Sequence, residues 1–197
     1  MWQDIHMENS IAVGEHRLAA SLYDRGSYGE SLEIYRKLAE NNDSDCQTFV
    51  GWMHHKGLGT TKDDEEALRW FKKAADLSNL EGMFYCGRLM TAMARHQEAF
   101  AWYEKAAANG YSAAHFRLAL AYDRGQGVGV DKSKALEYMR MAAEKGHVLA
   151  KREIGIRLIL RGRGFREKII GLRTLFSILA SARRITLENE RSGELKW

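Results

Sequence analysis

Four stretches of this chain are copies of one another. Ala67-Leu68-Arg69-Trp70-Phe71-Lys72-Lys73-Ala74-Ala75 returns as Ala99-Phe100-Ala101-Trp102-Tyr103-Glu104-Lys105-Ala106-Ala107. It returns again as Ala135-Leu136-Glu137-Tyr138-Met139-Arg140-Met141-Ala142-Ala143, with a fainter copy from Ser31 to Ala39. An internal period constrains the fold before any single residue is interpreted, because each copy must be the same unit stacked on its neighbours. Leu38, Ala74, Ala106, Ala142 and Ile178 share one position, at steps of 36, 32, 36 and 36 residues. The short step has a visible cause. Gly57, Gly59 and Asp63 stand 68 residues before Gly125, Gly127 and Asp131, whereas the unit between them carries only the tighter Thr91-Ala92-Met93-Ala94-Arg95-His96.

Within each unit the apolar residues have helical spacing. Ala67, Leu68, Phe71, Ala74 and Ala75 form one stripe, with Arg69, Lys72 and Lys73 on the other side. Asp63 and Asp131 precede the second helices as N-caps, and Glu66 stands three residues after Asp63 in a capping arrangement. Gly110 and Gly146 follow as helix stops. Each first helix carries a small residue at one position, Ala19, Gly51, Gly87, Ala119 and Gly155. A glycine inside a helix costs about 1 kcal/mol relative to alanine, so its recurrence predicts close approach of the paired helix.

The best-preserved unit reads Leu118-Ala119, Tyr122, Gly125-Gln126-Gly127-Val128, Asp131, Lys134-Ala135, Ala142-Ala143 and Gly146, and residues 45–77 match nearly as well. These residues resemble the Sel1-like repeat, a relative of the tetratricopeptide repeat. The resemblance covers residues 10 to 182. It implies an all-α solenoid of about five antiparallel helix pairs wound into a right-handed superhelix. The units fall at 10–43, 44–79, 80–111, 112–147 and 148–183, between an N-terminal segment (1–9) and a polar tail (184–197). It also implies a bacterial, cytoplasmic, non-catalytic scaffold or adaptor that binds another protein.

The remaining chemistry points the same way. No run of eighteen apolar residues marks a transmembrane helix, and the first residues do not read as a secretory signal. Cys46 and Cys86 read as buried free thiols in a reducing compartment. Gly125-Gln126-Gly127-Val128-Gly129 lacks the Gly-Lys-Ser/Thr ending of a phosphate loop and links two helices. His54 and His55 are adjacent, so they project about 100° apart and do not chelate one ion. No Cys/His cluster has zinc spacing, so no metal site or cofactor is expected. The acidic run Asp63-Asp64-Glu65-Glu66 is explained by a helix N-terminus. No serine or cysteine is paired in sequence with a base and an orienting acid, so no catalytic residue is expected.

Two candidate contact surfaces remain. Trp70, Trp102, Tyr138 and Ile34 share a packing position, but Trp52 lies in a first helix, the kind that lines the concave side of such solenoids. Its register maps a candidate groove of Trp52, His55, Phe84, Arg88, Phe116, Leu120 and Arg124, with aromatic and arginine side chains of the kind that anchor interfaces. The competing reading makes these residues core in a tight superhelix. The second surface is the last unit. Residues 1–149 hold 18 basic and 21 acidic side chains, and residues 150–197 hold 12 and 5. There Arg161, Arg163, Arg166 and Lys168 surround an oily stretch that includes Phe176. Three readings stay open: a contact with another chain, including a homodimer; docking on an anionic membrane surface; or an ordinary cap. Nucleic acid is disfavoured, since these arginines have no interleaved aromatics.

Overall fold

A computed structural model of the chain describes residues 2–161 and 164–194, with side chains for 13–160, 164 and 166–182. Among these the chain forms ten α-helices and no strand. They are α1 (Trp2–Asp24), α2 (Tyr28–Glu40), α3 (Ser44–Lys56), α4 (Asp64–Asp76), α5 (Leu80–Ala92), α6 (His96–Ala108), α7 (Ser112–Arg124), α8 (Lys132–Glu144), α9 (Val148–Arg161) and α10 (Phe165–Glu194). They gather into two compact units, Met1–Asn109 with α1 to α6 and Gly110–Trp197 with α7 to α10. In the first, α1 packs on α2, α3 on α4 and α5 on α6; in the second, α7 packs on α8 and α9 on α10. The architecture is an all-α solenoid of helix pairs.

Helices α2 to α8 are each 13 residues long, so the change of step from 36 to 32 lies entirely in the loops. The two glycine loops are one structure built twice. Gly57 (φ 70°, ψ 35°) and Gly125 (φ 72°, ψ 34°) end α3 and α7 in the left-handed region that glycine enters without steric penalty. Asp63 (φ −143°, ψ 103°) and Asp131 (φ −143°, ψ 101°) open α4 and α8. Their backbone N–H groups donate at 3.0 Å to the carbonyls of His54 and Tyr122. Asp63 Oδ1 accepts from the Glu66 N–H at 2.9 Å, but Glu66 does not reciprocate. Its carboxylate pairs instead with Arg69, a full charge one turn further on.

The core of the first unit includes Leu32, Tyr35, Leu38, Val50, Met53 and Trp70. Of its buried polar groups, Ser31 Oγ donates to the Ala19 carbonyl (2.8 Å) and Gln47 Nε2 to that of Ala39 (2.9 Å), whereas Gln47 Oε1 and His54 Nδ1 have no hydrogen-bond partner among the described residues. In the second unit Ala119, Met139, Ala142 and Ala150 pack with Phe116, Tyr138 and Ile154. The small residues stand where helices cross. A Cβ on Gly51 would lie 2.8 Å from the Phe71 ring, and one on Gly87 would lie 2.6 Å from that of Tyr103. The last pair crosses on two glycines, since a Cβ on Gly171 would meet the Gly155 carbonyl at 2.7 Å. Cys46 and Cys86 are buried and free, and burial pushes the Cys86 thiol up to about 12. Trp70 is buried as packing requires, whereas Trp102 and Tyr138 are half-buried. Lys73 and Lys105 lay their ammonium groups over Trp70 and Trp102 at 4.0 and 4.3 Å.

No helix break marks residues 9/10 or 183/184, because α1 starts at Trp2 and α10 runs on to Glu194. With no proline anywhere in the chain, nothing covalent stops either helix at those points.

Candidate binding surface

In the first unit the early turns of α3 and α5 stand side by side, each opened by a capping side chain. Asp43 Oδ1 accepts from the N–H groups of Asp45 and Cys46, and Asn79 Oδ1 from that of Gly82. Both caps fix where the first turn points. Between the helices lies a hollow of about 240 Å³ lined by Asp45, Thr48, Phe49, Trp52, Glu81 and Tyr85. Its wall is aromatic. Trp52 stacks on Phe49 (5.6 Å between centroids, 24° between planes), and Phe49 leans on buried Tyr35 at 4.6 Å. Opposite, Tyr85 stacks on buried Phe71 at 5.0 Å and 14°. Phe49 and Tyr85 are thus each held by a ring of the core, and Trp52 is held in turn by Phe49 and, at 6.2 Å, by Tyr23. The carboxylates of Asp45 and Glu81, both on exposed residues, stand at the rim.

A second, smaller hollow of about 80 Å³ shares Tyr85 and adds His55 and Arg88. Arg88 places its guanidinium 5.3 Å from the centre of the Tyr85 ring. His55 is held by Asp64: its Nδ1–H donates to Oδ1 at 2.6 Å, and Lys62 approaches the other oxygen at 3.3 Å. Burial raises the Asp64 pKa, but these hydrogen bonds outweigh it and hold the carboxyl below its usual range.

In the second unit a hollow of about 400 Å³ collects Phe116, Leu120, Arg124, Arg152, Ile156 and Arg157. Phe116 stacks on His147 (4.5 Å, 22°), and burial together with Arg117 holds that imidazole below its ordinary pKa. The register-mapped residues are therefore distributed. Trp52 lines one hollow, His55 and Arg88 another, and Phe116, Leu120 and Arg124 a third in the other unit. Phe84 packs against Tyr85 and Tyr103 instead. The register of Trp52 missed Phe49, Tyr85, Asp45 and Glu81. The signal was present: Phe49 and Tyr85 are 36 residues apart, as are Asp45 and Glu81, and each pair repeats its chemistry.

On α10, Leu172, Phe176 and Leu179 are 57%, 74% and 67% exposed at one-face spacing, with Arg166, Lys168 and Arg173 also exposed. The Arg161 side chain and all of Arg163 lie outside the described residues. Among the described residues no helix is long and apolar enough to cross a membrane.

Comparison with known proteins fixes the family. A model of the Sel1 repeat matches residues 44–79, 92–111 and 112–147. The crystal structure of a Sel1 repeat protein from Oxalobacter formigenes is 30% identical. It covers 83% of this chain and 71% of its own, with a TM-score of 0.72. The chain belongs to the Sel1-repeat proteins.

A second solved structure, c5321, is described as a protective antigen of uropathogenic Escherichia coli strains with an SLR fold. It is 31% identical over 78% of this chain and 34% of its own, with a TM-score of 0.65. The uncharacterized protein NMB1327 of Neisseria meningitidis serogroup B is 32% identical over 60% of this chain and 25% of its own length. This Sel1-repeat chain thus spans a quarter or less of the first three curated relatives it matches. Proteins of the family generally mediate protein–protein interaction, on a fold that is typically a non-catalytic scaffold. In this Sel1-repeat chain the repeated residues themselves, the glycines, the alanine pairs and Phe71, are consumed by packing and loop closure. What is left facing solvent on α3 and α5 is the aromatic hollow.

Proposed function

We propose that this Sel1-repeat chain is a non-catalytic scaffold. It holds a segment of a partner protein on the first-helix surface, with the hollow between α3 and α5 as its anchor point. The observation that carries this reading is the pairing of a rigid aromatic wall, Phe49, Trp52 and Tyr85, with the rim carboxylates Asp45 and Glu81. Aromatic faces attract cations through their quadrupole, and the attraction strengthens as water is displaced. Carboxylates at the mouth add complementary charge. The partner segment therefore brings a lysine or arginine beside an apolar residue. Selection from a random peptide display library on the immobilised chain tests this. Enriched peptides should carry a basic residue and lose binding to Trp52→Ala while far-UV circular dichroism is unchanged. Peptides with no basic preference, or binding that survives Trp52→Ala, would refute it.

The exposed Leu172–Phe176–Leu179 face with its basic flank supports a second contact region, docking on another chain. Sedimentation velocity is expected to show a concentration-dependent dimer that Phe176→Glu abolishes. A chain that stays monomeric but co-sediments with anionic liposomes through Arg166 and Lys168 would transfer this surface to the membrane reading.

A further inference from the structure

The repeat supplies a comparison that points away from the groove. Within the compact units a side chain of one first helix meets the N-cap of the next first helix. Three such corners lie within the two compact units. At one, Thr48 Oγ1 donates to Asn79 Oδ1 at 3.2 Å, and the helical residue three after the cap is Gly82. At another, Phe116 stacks on His147, whose Nδ1 accepts from the Ala150 N–H at 3.3 Å. The scaffold thus asks for little here: one contact, one cap and a small residue.

The first corner is built differently. Its three positions hold His16, Asp43 and Cys46, each with a metal-ligating atom, all within 4.8 Å of one another. Cys46 Sγ lies 3.1 Å from His16 Nε2, and His16 Nε2 lies 3.5 Å from Asp43 Oδ2. A tetrahedral zinc ion with bonds of ~2.0–2.3 Å sets its sulfur, nitrogen and oxygen ligands about 3.4–3.6 Å apart. The observed spacings are within a few tenths of an ångström of that. The geometry leaves each group a coordinating atom: Asp43 caps α3 through Oδ1 alone, which frees Oδ2 to face His16. Tyr35 meets the His16 ring edge-on at 5.5 Å and limits its rotation. Cys46 is 1% exposed, whereas the His16 and Asp43 side chains are 44% and 37% exposed, so the cluster has a buried floor and a solvent-side entrance.

We propose that His16, Asp43 and Cys46 form a zinc-binding site with one thiolate, one imidazole and one carboxylate ligand, water completing the tetrahedron. The thiolate and imidazole beside the carboxylate select zinc over magnesium or calcium, which take only oxygen ligands. The ion clips α1 to the start of α3 and so braces the first helix pair on the second. Sequence spacing does not show the site, because His16 and Cys46 are 30 residues apart and only the stacking of repeats joins them. Zinc binds the thiolate, so coordination releases the Cys46 proton to solvent.

Cobalt(II), a spectroscopic stand-in for zinc, tests the assignment on the reduced full-length chain. Titration should produce one equivalent of tetrahedral cobalt with a thiolate-to-cobalt charge-transfer band that zinc then bleaches. The band should vanish in Cys46→Ser and persist in Cys86→Ser. Asp43→Asn guards against a folding artefact, because asparagine caps a helix as well as aspartate does and Asn79 already occupies the equivalent position. Its circular dichroism should be unchanged while zinc affinity falls by at least the roughly tenfold to hundredfold that losing an outer-shell partner costs. Absence of the band in the native chain, its survival in Cys46→Ser, or unchanged zinc affinity in Asp43→Asn would each overturn the proposal.

Discussion

Gly51→Ala adds a single methyl group to the middle of α3, and the structure determines its sign. Intrinsic propensity favours the change, since alanine in a helix interior is better than glycine by about 0.8–1 kcal/mol. The new Cβ, however, would stand 2.8 Å from Cδ1 and Cε1 of Phe71 and 3.0 Å from the Ala67 carbonyl oxygen. Carbon atoms pack best at ~3.5–4.0 Å, so the methyl intrudes by roughly 1 Å. Phe71 is fully buried and stacked on Tyr85, so the ring can yield only toward the small hollow it lines with His55 and Arg88. Overpacking of this kind costs about 1–3 kcal/mol, which leaves a net destabilisation near 1 kcal/mol after the propensity gain. Gly14→Ala is the matched control. It makes the same substitution within α1, where a Cβ meets nothing within 4 Å, and should stabilise by up to about 1 kcal/mol. The two variants therefore differ by about 2 kcal/mol, or roughly 4–8 °C in melting temperature for a chain of this size. Urea unfolding followed by far-UV circular dichroism reads the difference. If Gly51→Ala is as stable as Gly14→Ala, the recurring glycine is not there for helix crossing and the packing account of the repeat fails.

Two further outcomes follow from the same geometry. Asp131 Oδ1 accepts from the N–H groups of Ser133 (3.0 Å) and Lys134 (2.9 Å), so Asp131→Ala should lose about 1 kcal/mol in urea unfolding and Asp131→Asn should recover most of it. Burial, only partly offset by Glu66, holds His54 below the ordinary imidazole pKa, and burial with Arg117 does the same to His147. The folded state then binds fewer protons than the unfolded one. Their contribution to stability is present above the unfolded value near 6.5 and is lost as pH falls through it. Melting temperature should drop between about pH 7.5 and pH 5.5, and the pair His54→Phe with His147→Asn should flatten that drop; an unchanged slope would refute the assignment.

The repeat made the fold legible because packing leaves its mark at fixed intervals. Gly51, Gly87 and Gly155 stand where a Cβ would crowd the facing helix, as their recurrence implied. The glycine loops are the turns that their register indicated. Side chains that packing does not fix were harder to read. Phe49 and Tyr85 have an apolar character that fits a core as well as a surface, so only their geometry shows the rings half-exposed around a hollow. His16, Asp43 and Cys46 belong to no motif in the linear sequence. Gly171 passed unnoticed for the opposite reason: it lies in the last second helix, where the other copies have no glycine to compare.

The copies within the chain also act as an internal control on what the scaffold requires. Ala74, Ala106 and Ala142 share a position with Leu38 and all four are buried, so the same packing problem recurs and takes an apolar residue each time. The first-helix positions behave otherwise. Trp52, Arg88 and Leu120 share one position, and Asp45 and Glu81 share theirs with Ala113 and Leu149. Those side chains differ in charge and polarity, whereas the packing position varies only in apolar size. The hollow of the first unit carries carboxylates at an aromatic wall, whereas that of the second sets Arg124, Arg152 and Arg157 beside Asp123 and Glu153 around Phe116 and Leu120, with Arg157 paired to Glu153 at 2.9 Å. A cationic side chain suits the former, and the latter offers charges of both signs. One repeated backbone unit thus presents different side-chain chemistry at different points along the chain, and under the proposed function that difference, not the repeated core, is what selects a partner.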